Sequence, residues 1–174
     1  MQCSDIESAF RELRANEIVV KPCIGANAEG AFRLKPSDDR ALWKQASEAY
    51  LDRDGMIQPF VESIVKTGEI SLVFFVGKWS HAVLKKPAPK DFRVQEEHGG
   101  IITALRPAAD ELKLAELVMK ALPEVPLYGR VDLVRLDDGR PVVIEVELCE
   151  PSLYLAHCED AAARFARAIV DFFA

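Results

Sequence analysis

Three carboxylates in the segment YGRVDLVRLDDGRPVVIEVEL, residues 128–148, have the types and spacing that point most directly to chemistry. A hairpin turn centred on Asp138-Gly139 would place Asp132 directly opposite Glu145, and facing Cβ atoms of this kind are about 4.5–5.5 Å apart. Glu147 lies two residues beyond Glu145 and therefore points to the same face. The other face carries apolar residues that can pack on a core, namely Val131, Leu133, Ile144, Val146 and Leu148.

A cluster of like charges across a hairpin is destabilising unless a cation neutralises it. Carboxylate oxygens are hard ligands, suited to Mg²⁺ or Mn²⁺ shared with substrate phosphates. The alternative is a solvated acidic sheet face, neutralised by Arg130 or Arg135. The metal interpretation depends on the register, because a shift of one residue would move the carboxylates of one strand to the opposite face.

A lysine followed by a glycine-bounded loop forms a second feature. Lys21 ends the stretch VVKP, and the loop GANAEG runs from Gly25 to Gly30. Backbone amides in such a loop can hold phosphate oxygens, with the lysine as a point charge. The motif GxxxxGK(S/T) is absent, and an ordinary surface turn is the alternative.

Basic residues also gather near the end of a predicted strand in GEISLVFFVGKWSHAVLKK, followed by DFRVQ. Lys85 and Arg93 are candidate contacts for a phosphate or an acyl-phosphate. Solvent exposure is the favoured interpretation for Lys86 and Lys90. For His81, a hydrogen-bonded position in a sheet is favoured over a catalytic base.

The segment MIQPFVE, residues 56–62, joins the two halves of the chain. An apolar connecting strand could hold a flat base through its backbone N–H and C=O groups, and Glu62 could bind ribose hydroxyls. Ligand sites favour junctions of this kind, although a plain linker strand fits the same residues.

The elements that must position these residues follow from the hydrophobic pattern. The first sixty residues predict a helix over 6–15, strands at 17–22 and 31–34, a helix over 38–53 capped by Ser37 or Asp38, and a strand at 56–61. From Gly68 onward the pattern predicts strands 70–76 and 79–85 around Gly77-Lys78, a loop over 86–100, a helix over 108–122, strands 128–136 and 141–148, and a helix over 159–173.

The bulk properties exclude several classes of protein. The 174 residues carry a net charge of −6, which argues against a general nucleic-acid binder. No apolar run approaches the roughly 18 residues that span a bilayer, and the first ten residues do not resemble a signal peptide, so the cytoplasm is the expected compartment. The four cysteines contain no CxxC pair, and they are expected to be free thiols. Cys149, His157 and Cys158 lie close together in the sequence, but ordinary helix-start and core positions are favoured over a metal site for them.

Four segments together resemble the ATP-grasp superfamily, in the branch similar to glutathione synthetase and the RimK-like ligases. They occur in the family's order and cover most of the chain: VVKPCIGANAEGAFRL, MIQPFVESIVKTGEISLVFFVGKWSHAVLKK, DFRVQEEHGG and GRVDLVRLDDGRPVVIEVELCEPSLYL. The resemblance implies an α+β fold in which two α/β subdomains with mainly antiparallel sheets enclose a nucleotide cleft. Residues 1–62 would form a small lid subdomain with a hinge strand at 56–62, and residues 63–174 a larger subdomain carrying the hairpin.

The resemblance also implies roles for individual residues. The cofactors are ATP and Mg²⁺ (or Mn²⁺), and the substrates are a small carboxylate and an amine or thiol, joined through an acyl-phosphate. The implied nucleotide contacts are Lys21, Gly25 and Gly30 at the phosphates, Gln58, Phe60 and Val61 at the adenine, and Glu62 at the ribose. The implied catalytic residues are Lys85 and Arg93, and the implied metal ligands are Asp132, Glu145 and Glu147.

Two departures from the family's pattern bear on the function. Glu147 stands where many members carry asparagine, and complete ligases have a further amino-terminal domain. The chain is therefore expected to be the ATP-grasp domain of a carboxylate–amine or carboxylate–thiol ligase, with no nucleic-acid or membrane partner. A non-catalytic nucleotide-binding module or partner subunit is the main alternative, and an acidic-faced structural domain is a third. A homo-oligomer, or a partner that supplies the amino-terminal domain, is a further expectation.

Overall fold

The computed structural model describes residues 3–25, 28–89 and 91–174. The middle of the loop GANAEG and the predicted exposed Lys90 lie outside these residues. The chain divides into two units, Met1–Val61 and Glu62–Ala174. Each unit has its own sheet and its own hydrophobic core.

The first unit is a three-stranded antiparallel sheet covered by two helices. Its elements are α1 (Cys3–Glu12), β1 (Ile18–Pro22), β2 (Phe32–Leu34), α2 (Arg40–Glu48) and β3 (Gly55–Pro59). The strand β1 lies in the centre and pairs with both neighbours. Its alternate residues Ile18 and Val20 are fully buried, and the rings of Phe10 and Trp43 stack with centroids 5.6 Å apart.

The helix α2 is shorter than the pattern predicted, and its cap is a different residue. Asp39 is the N-cap, since its carboxylate accepts the N–H of Ala41 at 2.9 Å. The predicted cap Asp38 instead accepts the N–H of Lys35 at 2.6 Å. The prediction of the cap was therefore wrong by one residue, because N-cap preferences do not distinguish between two neighbouring aspartates.

The second unit is a five-stranded antiparallel sheet in the order β6-β5-β4-β7-β8. Its elements are α3 (Ser63–Lys66), β4 (Glu69–Phe75), β5 (Lys78–Lys86), β6 (Ile101–Leu105), α4 (Ala109–Ala121), β7 (Tyr128–Arg135), β8 (Pro141–Glu147) and α5 (Ala161–Phe173). Single 3₁₀ turns occur at Glu96–His98 and Leu155–His157. The two antiparallel sheets with flanking helices confirm the predicted α+β class.

The five-stranded sheet has two unlike faces because alternate strand residues point to opposite sides. One face packs against α4, through Leu72, Phe74, Ala82, Val131 and Leu133 with Ala115 and Met119. The other face packs against α5 at one end, through Val73, Phe75 and Ala168. The rest of that second face carries buried polar residues, and these form the candidate site.

Candidate functional site

The three predicted carboxylates converge on the polar face of the five-stranded sheet. Asp132 on β7 lies opposite Glu145 on β8, as predicted, and Glu147 follows on the same face. One oxygen from each of the three side chains lies within 4.8 Å of the other two. Ligands of one Mg²⁺, at about 2.0–2.1 Å from the ion, are separated by up to about 4.2 Å. The residues therefore fit a hard cation after a small adjustment.

The turn of this hairpin is not the two-residue turn predicted from the sequence. The N–H of Leu136 donates to the carbonyl of Arg140 at 2.9 Å, and the N–H of Gly139 donates to the carbonyl of Leu136 at 2.8 Å. Gly139 adopts a φ of +82°. The loop thus has three residues, and next to it Leu133 faces Val143, one residue away from the pairing that the assumed turn requires.

A β-bulge then restores the predicted pairing at the site. The register shifts between Asp132 and Leu133, so that Ile144 is the extra residue on β8 and Glu145 comes to face Asp132. The three-residue turn shifts the pairing by one residue, and the bulge shifts it back by one. The predicted pairing was correct although the predicted turn was wrong, because the bulge left no signal in the pattern of apolar residues.

The apolar side of the hairpin is only partly buried. Val131 and Leu133 are fully buried, as expected. Val146 and Leu148 are 37% and 38% exposed, which corrects the expectation that they pack on a core. The physical reason is the position of β8 at the edge of the sheet, since an edge strand has a neighbour on one side only.

Asp132 is fully buried and surrounded by donors. The hydroxyl of Ser71 donates to Oδ1 at 2.6 Å, and Nζ of Lys85 donates to Oδ2 at 3.1 Å. Nε and Nη2 of Arg130 donate to the same carboxylate at 2.9 Å each. Burial by itself would favour the neutral acid, but the charges of Lys85 and Arg130 hold the pKa of Asp132 well below its usual range. Asp132 is therefore an ionised carboxylate at neutral pH.

Lys85 lies between Asp132 and a second buried acid, Glu69. Lys85 is 2% exposed and pairs with both carboxylates. Burial opposes its charge, but Asp132 and Glu69 raise its pKa above the usual range. Burial raises the pKa of Glu69 to about 7. A permanent positive charge is therefore fixed beside the carboxylate cluster.

Arg130 connects Asp132 with Glu147, to which its Nη2 also donates. Its Nη1 donates to the carbonyl of Ser152 at 3.3 Å, and its Cζ lies 5.8 Å from the centre of the Tyr154 ring. Burial raises the pKa of Glu147, and Arg130 opposes that effect. The segment that follows β8 thus closes the site on the side of Arg130.

Glu69 and Ser71 are not among the residues predicted for the site, and Arg130 is predicted only as a neutralising neighbour. A signal was present, because Glu69 and Ser71 are two residues apart on an otherwise apolar strand, and Arg130 precedes Asp132 by two. Residues with this spacing share a face. The pairing of Ser71 with Asp132 across β4 and β7 has no such local signal.

The other predicted residues of the second unit have different surroundings. Arg93 forms a forked ion pair with Asp91, with Nη2 to Oδ2 at 2.8 Å, and this contact lowers the pKa of Asp91. His81 is buried, with Nε2 donating to the carbonyl of Leu153 at 2.8 Å and Nδ1 next to the hydroxyl of Ser80. Burial lowers the pKa of His81, which agrees with a hydrogen-bonded sheet residue.

In the first unit, the predicted phosphate contacts lie at the end of the central strand. Lys21 pairs with Met56 across β1 and β3 and is half-buried. Gly30 adopts a φ of +74°, and its carbonyl accepts the hydroxyl of Tyr50. Gly25 borders the undescribed part of the same loop. Lys21 and the two glycines thus lie within one stretch of chain, residues 21–30.

The predicted base and ribose contacts lie on and just after β3. Gln58 pairs with Val19 in the sheet. Phe60 is buried, its N–H donates to the carbonyl of Glu17 at 2.9 Å, and the guanidinium of Arg33 lies 3.7 Å from the centre of its ring. The half-buried Val61 ends the first unit.

Glu62 opens the second unit and pairs with Lys66 of α3 at 2.8 Å.

Within the described part of the chain, the group with the spacing of metal ligands is Asp132, Glu145 and Glu147. The thiol of Cys158 instead accepts Nη2 of Arg164 at 3.2 Å. No described helix is both long enough and apolar enough to cross a membrane.

Comparison with known proteins gives consistent matches. Residues 2–152 match the model of the family described as prokaryotic glutathione synthetase, ATP-grasp domain. The cycloserine biosynthesis protein DcsG of Streptomyces lavendulae is 38% identical over 97% of this chain and 60% of its own length. A D-alanine--D-alanine ligase of Clostridium beijerinckii is 28% identical over 74% of this chain and 43% of its own length. The chain thus spans at most about 60% of these relatives.

Solved structures agree in fold. The crystal structure of the D-cycloserine synthetase DcsG superposes with a TM-score of 0.78 at 33% identity, covering 99% of this chain and 60% of that one. A D-alanine--D-alanine ligase from Bacillus anthracis superposes with a TM-score of 0.68 at 21% identity, covering 98% of this chain and 57% of that one. At 21% identity, the match to the Bacillus anthracis ligase shows only a shared fold.

Proposed function

The chain belongs to the family of the prokaryotic glutathione synthetase ATP-grasp domain, and we propose that it is the nucleotide- and metal-binding part of an ATP-dependent ligase. The observation that carries this proposal is the convergence of Asp132, Glu145 and Glu147 beside the buried cations Lys85 and Arg130. Ligases of this family bind ATP together with a divalent metal ion. The proposed reaction joins a small carboxylate to an amine or thiol through an acyl-phosphate.

The proposed metal is Mg²⁺, with Mn²⁺ as a substitute, held by Asp132, Glu145 and Glu147. All three offer carboxylate oxygens, the ligand type that these ions prefer. When bound, the ion neutralises the oxygens of a transferring phosphoryl group. The protein's own contribution is a set of fixed charges, because Asp132 is held ionised and Lys85 is held protonated in a buried position.

The proposed nucleotide contacts come mostly from the first unit. Lys21, Gly25 and Gly30 would bind the phosphates, since a lysine beside a glycine-bounded loop supplies both a charge and free backbone amides. Three residues at the end of that unit would hold the adenine, namely Gln58, Phe60 and Val61. Glu62, at the start of the second unit, would hold the ribose. The position of all these residues within the family match over 2–152 supports the assignment.

Lys85 and Arg93 are the proposed catalytic residues. Lys85 lies within hydrogen-bonding distance of Asp132, so its charge is close to any phosphate that shares the metal. Arg93 is paired with Asp91 and would have to exchange this partner for the acyl-phosphate. Arg130 supplies a further positive charge next to Glu147.

The substrates are proposed to be small and derived from amino acids. The named relatives are a cycloserine biosynthesis protein and a D-alanine--D-alanine ligase, and both names refer to compounds of this size. The relatives are longer than this chain, so the acceptor site is proposed to need a further domain, a second copy or a partner. The proposed compartment is the cytoplasm.

A thermal-shift titration with ATP and Mg²⁺ tests the binding part of this proposal. A ligand at about 100 times its dissociation constant stabilises the folded state by roughly 2.7 kcal/mol. Absence of any stabilisation at millimolar nucleotide would contradict the proposal. Release of ADP and phosphate in the presence of a small carboxylate and an amine then separates a ligase from the alternative, a nucleotide-binding module without activity of its own.

A further inference from the structure

We propose that Arg130 is an internal cation that competes with the metal ion, and that metal binding moves its guanidinium away from Asp132 and Glu147. The inference rests on the proposed function, since it concerns the same three carboxylates. Arg130 would thereby lower the affinity for the metal ion below that of the three carboxylates alone.

Arg130 contacts two of the three candidate metal ligands at once. Its Nε and Nη2 donate to Asp132 at 2.9 Å each, and Nη2 also donates to Glu147. Arg130 is 5% exposed and Asp132 is fully buried, so water screens these charges weakly. The guanidinium therefore binds the oxygen atoms that a metal ion would need.

The carboxylate of Asp132 has no capacity left for another partner. An ionised carboxylate offers about four lone-pair sites. Ser71 Oγ, Lys85 Nζ and two nitrogens of Arg130 already donate to it. A bond from Asp132 to a metal ion therefore requires that one of these donors leave.

Among the donors to Asp132, Arg130 is the one that its surroundings allow to leave when a metal ion binds. Ser71 is uncharged, so a cation does not repel it, and Lys85 is anchored by Glu69 as well. A metal ion bound to both Asp132 and Glu147 would replace both ion pairs of Arg130 and would repel its charge at short distance.

Arg130 also has other contacts available on its far side. The carbonyl of Ser152 accepts its Nη1 at 3.3 Å, and the ring of Tyr154 lies 5.8 Å from its Cζ. An aromatic ring within about 6 Å stabilises a guanidinium. The segment after β8 therefore offers Arg130 a position in which it keeps partners after leaving both carboxylates.

The test is a titration with Mn²⁺ alone, following free Mn²⁺ by electron paramagnetic resonance, on the wild type and on Arg130→Met. Methionine removes the charge and keeps much of the side-chain volume. We expect Arg130→Met to bind Mn²⁺ about tenfold more tightly than the wild type, which corresponds to about 1.4 kcal/mol.

Arg135→Met is the matched control. Arg135 lies on the same strand and also joins two carboxylates, but these are Asp110 and Glu111 of α4. We expect this variant to bind Mn²⁺ as the wild type does. Equal or weaker binding by Arg130→Met, while the wild type binds, would overturn the inference and leave the proposed function standing. Absence of binding in all three proteins would overturn the inference, and the thermal-shift titration with ATP and Mg²⁺ would then decide separately whether the proposed function stands.

A second measurement on the wild type does not depend on the folding of a variant. The Nε–H signal of Arg130, assigned in a ¹⁵N NMR spectrum, is followed during a titration with Mg²⁺. We expect its hydrogen exchange with water to accelerate as the metal binds, because its bonds to Asp132 break. A signal that stays protected at saturating Mg²⁺ would overturn the inference.

Discussion

Asp132 illustrates at the scale of one residue why the carboxylate cluster differs from a solvated acidic surface. It is fully buried, and two cations hold it ionised. Asp132→Asn removes a negative metal ligand and leaves Lys85 and Arg130 without their shared counter-charge. We expect metal-dependent ATP binding to weaken by more than tenfold, as measured by calorimetry with and without Mg²⁺. Asp138→Asn, exposed on the same hairpin, and Lys86→Ala should change binding little, and equal effects would refute the assignment of Asp132.

Lys85 allows a prediction about stability at the same scale. Removing one partner from a buried ion pair leaves an uncompensated charge and costs about 3–5 kcal/mol. We expect Lys85→Met to lower the free energy of unfolding by about this amount in urea denaturation, and Lys86→Met, exposed on the same strand, to change it little. Because the pKa of Glu69 is about 7 and would rise without Lys85, the double variant Lys85→Met with Glu69→Gln should recover part of the loss at alkaline pH, where the carboxyl of Glu69 would otherwise be ionised without a partner. No recovery would mean that Glu69 is not a charge partner of Lys85.

At the scale of elements, the hairpin of β7 and β8 depends on Gly139 for its three-residue turn. Its φ is +82°, and a Cβ atom added at this position would have room, with no heavy atom beyond its chain neighbours within 4 Å. Only backbone strain therefore opposes a side chain here. We expect Gly139→Ala to lower the free energy of unfolding by about 1 kcal/mol, and Gly139→Asn to lower it less, since asparagine tolerates this conformation. Metal binding should persist in both variants. A loss of metal binding in Gly139→Asn with unchanged stability would show that the turn controls the site directly.

The same elements explain how far the sequence predicts the fold and the site. The pairing of Asp132 with Glu145 was predictable because both strands belong to one hairpin, so their contact is local. The contribution of Ser71 and Glu69 was not, since β4 joins β7 across more than fifty residues of chain. The strand β6 was missed because it lies at the edge of the sheet with mostly exposed residues. The helix α3 has four residues, too few for a helical period to be seen.

At the scale of the whole molecule, each unit has its own core and brings its own chemistry. The first unit carries Lys21, Gly25 and Gly30, which are proposed to bind phosphate. The second carries the carboxylates and buried cations, which are proposed to hold the metal ion. If one nucleotide–metal complex uses both sets, then variants in the two units should affect ATP and metal binding in different ways.

The variant Lys21→Ala tests this division of labour. Lysine at this position is proposed to contact phosphate and not the metal ion, so we expect ATP binding in the presence of Mg²⁺ to weaken about tenfold, as for the loss of one charge-assisted hydrogen bond. Binding of Mn²⁺ alone should stay as in the wild type, whereas Asp132→Asn should weaken both. Lys44→Ala, an exposed lysine of the same unit, is the matched control for the loss of a positive charge. If Lys21→Ala and Lys44→Ala reduce ATP affinity equally, the first unit acts through its overall charge, and Lys21 is not a specific phosphate contact.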